Sequence, residues 1–341
     1  MTGESAPCLP LEMHFPEENL PHTPPERRAD GRSAGSGEVL VVGSVNLDLG
    51  YRLERLPREG ETVRASGSFQ AGGGKGANQA LAARRLGAQV ALLASVGRDA
   101  GPALADLAAA GVDLAPVLRH EETVTGAAVL LVGPNDNCIV VDAGANDLLR
   151  AEHVRALATS TKPPAVVVTN HEVPAPVVEA TVRAYAGRAR VLLNPSPARV
   201  LDRELLALVD VLVLNAGELT DLLGLGPTPP TPEAVAAILD RGALGDCVVT
   251  LGRGGAVVSE RGAITHVPAF RVDAIDTVGA GDAFLGALAA GLAAGQDLGA
   301  AAERACAAAA LAVTAPGARG AALSAESVDA LMAGEPAMSR N

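Results

Sequence analysis

Six short runs of continuous apolar residues, at 39–42, 90–94, 165–169, 191–194, 211–215 and 247–251, constrain this chain more than any other feature. A strand with one wet face alternates apolar and polar residues, whereas an unbroken apolar run suits a strand covered on both faces. Between the runs lie Ala/Leu-rich segments of helical length, at 78–86, 102–110, 174–186 and 232–241. Strand, helix, strand at this spacing implies right-handed crossovers and a parallel sheet with helices on both sides. With 341 residues, of which 48% are hydrophobic, the chain can bury a sizeable core, which excludes a wholly disordered protein.

Two stretches interrupt the alternation. Residues 48–69 and 125–142 hold short extended runs and turn residues with little helical periodicity. Residues 125–132, the turn Gly133-Pro134-Asn135-Asp136 and residues 138–142 read as a hairpin. A small β element standing off the main sheet, a lid, is the expectation. Residues 1–37 differ again: six prolines are followed by a Gly/Ser run, and the segment reads as a disordered tail.

Charge and cysteine usage exclude several function classes. The 39 acidic residues exceed the 27 Lys and Arg, leaving a net charge of −12 that does not suit phosphate-backbone binding. Trp is absent and only two Tyr and four Phe are present, so platforms for stacking bases are scarce. Cys8, Cys138, Cys247 and Cys306 are scattered without metal-finger or CxxC spacing, the pattern of reduced thiols in a cytoplasmic protein. The longest apolar stretch, 283–295, is too short to span a bilayer, and no secretory signal is legible. Neither a nucleic acid nor a membrane is expected as partner.

Three clusters carry chemistry. Asp276-Thr277-Val278-Gly279-Ala280-Gly281-Asp282 opens an Ala-rich helical segment. A glycine turn feeding a helix offers unpaired N–H groups and the positive dipole end together, which is an anion site. Asp282 beside it either complements the helix dipole or removes a proton from a hydroxyl attacking a phosphate. The second cluster, Gly72-Gly73-Gly74-Lys75-Gly76-Ala77-Asn78, lets a polyol approach the backbone while Lys75 and Asn78 offer donors; alone it also reads as a flexible turn. In the third, Asn46-Leu47-Asp48, alternation puts Asn46 and Asp48 on one face, to bind adjacent hydroxyls or to cap a turn. A Rossmann fingerprint fails because Phe284 stands where its last glycine belongs. A Walker A loop fails because Lys75 is followed by Gly76 and Phe69 stands at its opening glycine.

These motifs, with Gly43-Ser44 before Asn46, Ala143-Gly144-Ala145-Asn146, Asn194-Pro195-Ser196-Pro197-Ala198 and Thr250-Leu251-Gly252, resemble the phosphofructokinase B-type, ribokinase-like carbohydrate kinases. The resemblance runs in order from about Val39 to about Ser327. The Asp276–Asp282 motif marks the superfamily, and Gly-Gly-Lys-Gly-Ala-Asn is closer to its ribokinase branch. It implies a three-layer α/β/α fold with a mostly parallel central sheet and a small β-sheet lid. The kinase domain would span 38–330, with the lid built from about 48–70 and 125–142 and a C-terminal tail at 331–341. The implied reaction is ATP-dependent phosphorylation of D-ribose at its 5-hydroxyl. Deoxyribose, another sugar or a nucleoside is the alternative within the class, and a non-catalytic sugar sensor the alternative outside it.

Carried over residue by residue, the resemblance implies Asp282 as the base and Gly279, Ala280 and Gly281 as the anion hole for the transferred phosphoryl group. Asn46, Leu47, Asp48, Gly74, Lys75, Gly76, Ala77, Asn78, Glu172 and Asp282 match sugar-binding positions. Asn215, Thr250, Leu251, Gly252, Arg253, Gly254, Gly255, Gly281, Asp282 and Cys306 match ATP-binding positions, with Cys306 lining the adenine pocket by packing where the family usually has His or Asn. Glu218, by itself a first-turn helix carboxylate, is implied in the Mg2+ and phosphate network. The family is activated by a monovalent cation, K+, whose ligands match Asp276 and the carbonyls of Val278, Ala312, Ala315 and Gly317. Ala321 stands where a side-chain hydroxyl usually completes that site, leaving Ser324 or water to replace it. A homodimer through the lid is also implied.

Overall fold

The computed structural model describes residues 37–334 except 135–136, 200, 227–228 and 243. The tail expected at 1–37, apart from Gly37, lies outside the described residues, as do Cys8 and residues 335–341 of the expected C-terminal tail. Regular structure begins with β1 (Glu38–Val42), β2 (Asn46–Arg52) and β3 (Gly67–Gly73), then α1 (Lys75–Arg85), β4 (Gln89–Leu93), β5 (Ser95–Gly97) and α2 (Gly101–Ala110). Next come β6 (Leu118–His120), β7 (Gly126–Val132), β8 (Asn137–Asp142), α3 (Ala151–Ser160), β9 (Val166–Asn170), α4 (Ala175–Tyr185), β10 (Arg190–Asn194), α5 (Arg203–Leu206) and β11 (Val211–Asn215). The chain continues through α6 (Ala216–Leu223), α7 (Pro232–Leu239), β12 (Cys247–Thr250), β13 (Ala256–Glu260) and β14 (Ala263–Val267). It closes with α8 (Ala280–Ala293), α9 (Leu298–Ala312) and α10 (Ala325–Met332).

The six apolar runs are the six parallel strands of one sheet, ordered β4-β1-β9-β10-β11-β12. Within these strands the apolar residues alternate between two cores. Val39, Val41, Val166, Val168, Leu192, Val211 and Val213 pack with α1, α2, α8, α9 and α10. Leu40, Val42, Val167, Val191, Leu193, Leu212 and Leu214 pack with α3, α4, α5, α6 and α7. Two cores on opposite faces explain why the strands are apolar at every position, and they give the three-layer α/β/α architecture expected from the sequence. The sheet also carries the antiparallel hairpin β13-β14 on its β12 edge, a feature with no separate signal in the apolar runs.

The interrupting stretches form a second sheet, ordered β3-β2-β7-β8, with β2 parallel to β7 and antiparallel pairs on either side. The β7-β8 hairpin is the expected one; part of its turn, residues 135–136, is undescribed. The lid strands start two residues earlier than expected, at Asn46, and the β3 end runs directly into α1 through Gly74. Tyr51, Phe69, Ile139, Val140 and Val141 of this sheet are exposed. Among the described residues no helix is long and apolar enough to cross a membrane.

Helices α1 and α8 approach through Gly286, where an added Cβ would lie 2.6 Å from both the Ala82 Cβ and the Gln79 carbonyl oxygen. Gly286→Val is expected to force the two helices apart and to destabilise the fold by about 1–3 kcal/mol, read as a lower urea midpoint at unchanged slope. Gly299→Ala on α9, where the nearest atom would be 3.5 Å away, is the matched control and should not lower the midpoint.

Candidate active site

Parallel strands present their carboxyl ends along one edge of a sheet, and ligands of such folds bind in the crevice there. Along this edge stand Asn46 just beyond β1, Glu172 just beyond β9, Asn215 closing β11 and Thr250 closing β12. The expected sugar residues therefore follow β1 and β9, while expected ATP residues follow β11 and β12.

Asp282 sits in the first turn of α8, behind Gly279, whose φ of 78° is a left-handed value that glycine adopts without penalty. Its carboxylate is buried and held at both oxygens: Asn78 Nδ2 donates to Oδ2 at 2.9 Å and Gln79 Nε2 to Oδ1 at 3.0 Å. The Ala280 N–H turns back to the Thr277 carbonyl at 3.3 Å. The N–H groups of Gly281 and Asp282 have no acceptor one turn before them within the helix, so they carry the positive end of the α8 dipole. A carboxylate gripped by two amides and the positive end of a helix dipole thus share one turn.

The network continues from Asp282 toward Glu172. Asn170 Nδ2 donates to Gln79 Oε1 at 3.2 Å, and the Glu172 N–H donates to Asn170 Oδ1 at 3.1 Å. Glu172 Oε2 accepts the Ser44 hydroxyl at 2.5 Å and the Lys75 N–H at 2.8 Å, so this carboxylate serves the N-terminal turn of α1. Gly74, Lys75, Gly76, Ala77 and Asn78 are not a free loop: Gly74 caps α1 with φ 85° and the other four form its first turn. Asn46, Leu47 and Asp48 open β2. Asn146 Nδ2 donates to Asn46 Oδ1 at 2.8 Å, which leaves the Asn46 nitrogen to serve as a donor elsewhere. Burial pushes the Asp48 carboxyl up to about 6; Arg319 opposes the rise, and Glu172 and Asp282 reinforce it.

On the nucleotide side, Asn215 and Glu218 cap α6 reciprocally, with the Glu218 N–H on Asn215 Oδ1 and the Asn215 N–H on Glu218 Oε2, both at 2.9 Å. Thr250 and Leu251 lead into a tight turn of Gly252, Arg253 and Gly254, closed by Gly255. Cys306 is buried on α9 in the core, its thiol pushed up to about 12 by burial, so it acts there as an apolar side chain. Among the described residues no three His, Cys, Asp or Glu converge as a metal cage. A divalent ion would therefore rely on phosphates and water, with Glu218 offering one further carboxylate oxygen.

The donors matched to the monovalent cation are all oxygens with one carboxylate, which suits a hard cation. Asp276 takes the Val278 N–H at 3.0 Å and the Gly317 N–H at 2.8 Å, which draws the loop after α9 alongside the glycine turn. The Ala312 carbonyl ends α9, at the negative pole of its dipole. The set is short of its hydroxyl: Ala321 offers none and its carbonyl accepts Arg85 at 3.3 Å. The Ser324 hydroxyl caps α10 by accepting the Ser327 N–H at 3.1 Å. Asp276 and the carbonyls of Val278, Ala312, Ala315 and Gly317 are the protein oxygens that would remain to hold such a cation.

Four buried residues of this site carried no role in the sequence reading: Ser44, Gln79, Asn146 and Asn170. Ser44 and Asn146 lie inside motifs named from the sequence, Asn170 directly follows the apolar run 165–169, and Gln79 is one residue past the second cluster. Their role is a matter of partners distant in sequence, which no spacing reveals.

Fold and site together define a carbohydrate kinase. A family model described as pfkB family carbohydrate kinase matches residues 36–325, and the chain belongs to that family. It is similar to the Mus musculus ribokinase, 35% identical over 74% of this chain and 80% of that protein. It is also similar to the Salmonella typhi deoxyribokinase, 36% identical over 82% of this chain and 94% of that one. Among solved structures, Arabidopsis thaliana ribokinase complexed with ribose and ATP superimposes with a TM-score of 0.76 at 28% identity. That match covers 86% of this chain and 98% of the other.

The raised Asp48 carboxyl carries a stability prediction. The folded state holds this proton more tightly than the unfolded chain, whose value is 3.8, so ionised Asp48 destabilises the fold increasingly as pH rises from 3.8 to about 6. Asp48→Asn should unfold at higher urea than the parent at pH 7.5, with the gain vanishing near pH 4. An equal gain at both values would show that Asp48 is not strained by its charge.

Proposed function

We propose that the chain transfers the γ-phosphoryl group of ATP to the 5-hydroxyl of D-ribose. The carrying observation is the buried Asp282 carboxylate, set by Asn78 and Gln79 in the same turn as the N-terminal anion site of α8. In this reading Asp282 takes the hydroxyl proton as the oxygen attacks the γ-phosphorus, and the bond from phosphorus to the bridging oxygen of ADP breaks. The backbone N–H groups of Gly279, Ala280 and Gly281 face the developing phosphoryl charge, with Gly281 least committed elsewhere. Mg2+ supplies charge neutralisation on the phosphates, and Glu218 and Asn215 lie at the strand end assigned to the nucleotide. Asp276 and the carbonyls of Val278, Ala312, Ala315 and Gly317 are the residues that would hold K+.

Asn46 and Asp48 support a vicinal diol as the recognised group. Asn46, its oxygen committed to Asn146, presents donors, while Asp48 presents only acceptors when ionised. A diol satisfies both at once. A deoxy sugar would leave a buried polar group unpaired at a cost of about 1–3 kcal/mol. The second reading, deoxyribose phosphorylation, is favoured by the 36% identity to the Salmonella typhi deoxyribokinase. The exposed apolar residues of β8, Ile139, Val140 and Val141 at 50%, 59% and 63%, support pairing of two lids in a homodimer.

The deciding experiment is ADP release with ATP, Mg2+ and K+ across ribose, 2-deoxyribose, fructose and adenosine. Ribose-dependent turnover should exceed the others. Faster turnover of 2-deoxyribose keeps the Asp282 chemistry and overturns the diol reading, and no turnover with any sugar leaves a sugar sensor. Asp282→Asn should lower kcat by about 10²–10⁴-fold while both ligands still bind by calorimetry. Unchanged turnover in that variant would remove Asp282 from the chemistry.

A further inference from the structure

Arg319, in the loop between α9 and α10, belongs to no motif that the sequence offers. Its side chain is 8% exposed and its guanidinium binds inward on every side. Nε donates to Asn78 Oδ1 at 2.7 Å, Nη2 to the Gly73 carbonyl at 2.8 Å, and Nη1 to the Ala103 carbonyl at 3.1 Å and to Asp106 Oδ1 at 2.7 Å. The lid strand β3 leaves room for it: a Cβ on Gly72 would sit 2.2 Å from Nη1. One guanidinium therefore joins the end of β3, the first turn of α1, helix α2 and the C-terminal loop.

The bond to Asn78 has a consequence at the reaction centre. A side-chain amide has one acceptor end and one donor end. With Oδ1 taken by a charged donor, Nδ2 faces the Asp282 carboxylate. The opposite orientation would set NH2 against the guanidinium and the amide oxygen against the carboxylate, two repulsive contacts in place of two favourable ones. The loop itself is fixed from behind, because Arg85 Nη1 donates to the Arg319 carbonyl at 3.1 Å and to that of Ala321.

We propose that Arg319 is a positioning residue of the phosphoryl-transfer centre, acting through the Asn78 amide to orient the Asp282 carboxylate. Its hydrogen bonds all run to protein groups, and its link to Asp282 passes through Asn78. The inference rests on the reading of Asp282 as the base. A role confined to clipping α2 through Asp106 would not act through Asn78.

Steady-state kinetics on the sugar giving the highest turnover, with the full-length chain and Arg319→Met, Arg319→Lys, Asn78→Ala and Arg319→Met/Asn78→Ala, separate these roles. Arg319→Met is expected to lower kcat at least about tenfold while KM for ATP stays within about threefold. Arg319→Lys keeps the charge but not the fork and should recover only part of that loss. The double variant should fall no more than about twofold below Asn78→Ala, because both remove one interaction. Full kcat in Arg319→Met, or losses that multiply in the double variant, would overturn the proposal. If Arg319→Met does not fold, Arg319→Lys and its Asn78→Ala double variant carry the same comparison.

A readout without turnover keeps the inference apart from the proposed function. In 15N-labelled protein the Asn78 side-chain NH2 pair, identified by its loss in Asn78→Ala, should be protected from solvent exchange. That protection should fall in Arg319→Lys. A parent that phosphorylates no sugar overturns the proposed function alone; an Asn78 pair unchanged in Arg319→Lys overturns the role of Arg319.

Discussion

The grip of Asn78 and Gln79 on both oxygens of Asp282 joins segments about 200 residues apart in the chain and sets what the rest of the molecule must do. Two neighbouring amides at the start of α1 can reach one carboxylate in the first turn of α8 only if the two helices lie in contact. Gly286 permits that contact, and the shared core of Ala83, Ala287, Leu285 and Val41 maintains it on one face of the sheet. Helix α1 begins where the lid strand β3 ends, so the contact also fixes the residues Gly74 to Asn78 relative to the glycine turn before α8. Proximity of this kind is what makes a bound hydroxyl and a bound phosphate behave as one molecule, an advantage worth up to about 7–11 kcal/mol of barrier in favourable cases.

A net charge of −12 does not exclude an anion site, because the fields that matter there are local. Charges on the surface are screened beyond about 8 Å at physiological salt, whereas unpaired N–H groups at a helix start act at contact distance. Asp48 feels the charges of Glu172 and Asp282, and each of the three is handled differently. Glu172 is bound by the α1 terminus and Ser44, and Asp282 by two amides. Asp48 is left raised to about 6. A polyol is neutral and rich in donors, so a pocket that binds it needs acceptors kept ionised without full internal compensation. Asp48 would meet that requirement in the proposed function, its raised carboxyl being the expected counterpart of such a role.

Most of the fold was legible because burial on both faces writes itself into consecutive residues. Each apolar run at 39–42, 90–94, 165–169, 191–194, 211–215 and 247–251 became a strand displaced by no more than one residue at either end. The lid was legible from the loss of helical periodicity. The β13-β14 hairpin was not, since its single exposed edge strand offers no continuous apolar run to distinguish it. The site was legible where chemistry is local in sequence: a glycine turn, a following Asp, a glycine-lysine cluster. Gln79, Asn170 and Arg319 were not, because an amide or a guanidinium is defined by the partner it faces, and those partners lie 91 to 246 residues away. Glu218 and Ser324 mark the converse case, in which a local helix cap accounts for a polar residue also matched to a ligand role.

The loop after α9 shows why so much polar structure is gathered outside the quoted motifs. It is tied to the glycine turn by Gly317 on Asp276, to α1 by Arg85 on its carbonyls and to Asn78 and the lid strand by Arg319. Backbone held only by its own turns would fluctuate on the scale that separates a productive hydroxyl from an unproductive one, and a misplacement of about 1 Å can remove 10²-fold in rate. These ties, to the glycine turn, to α1 and to β3, remove that freedom beside the proposed reaction centre. The lid sheet is held where β2 and β3 meet the site, by Asn146 on Asn46 and by Arg319 on Gly73, while Tyr51, Phe69 and the β8 residues Ile139, Val140 and Val141 are exposed. In the proposed reaction these ties would hold the Asp282 carboxylate in place while a sugar binds between it and the lid.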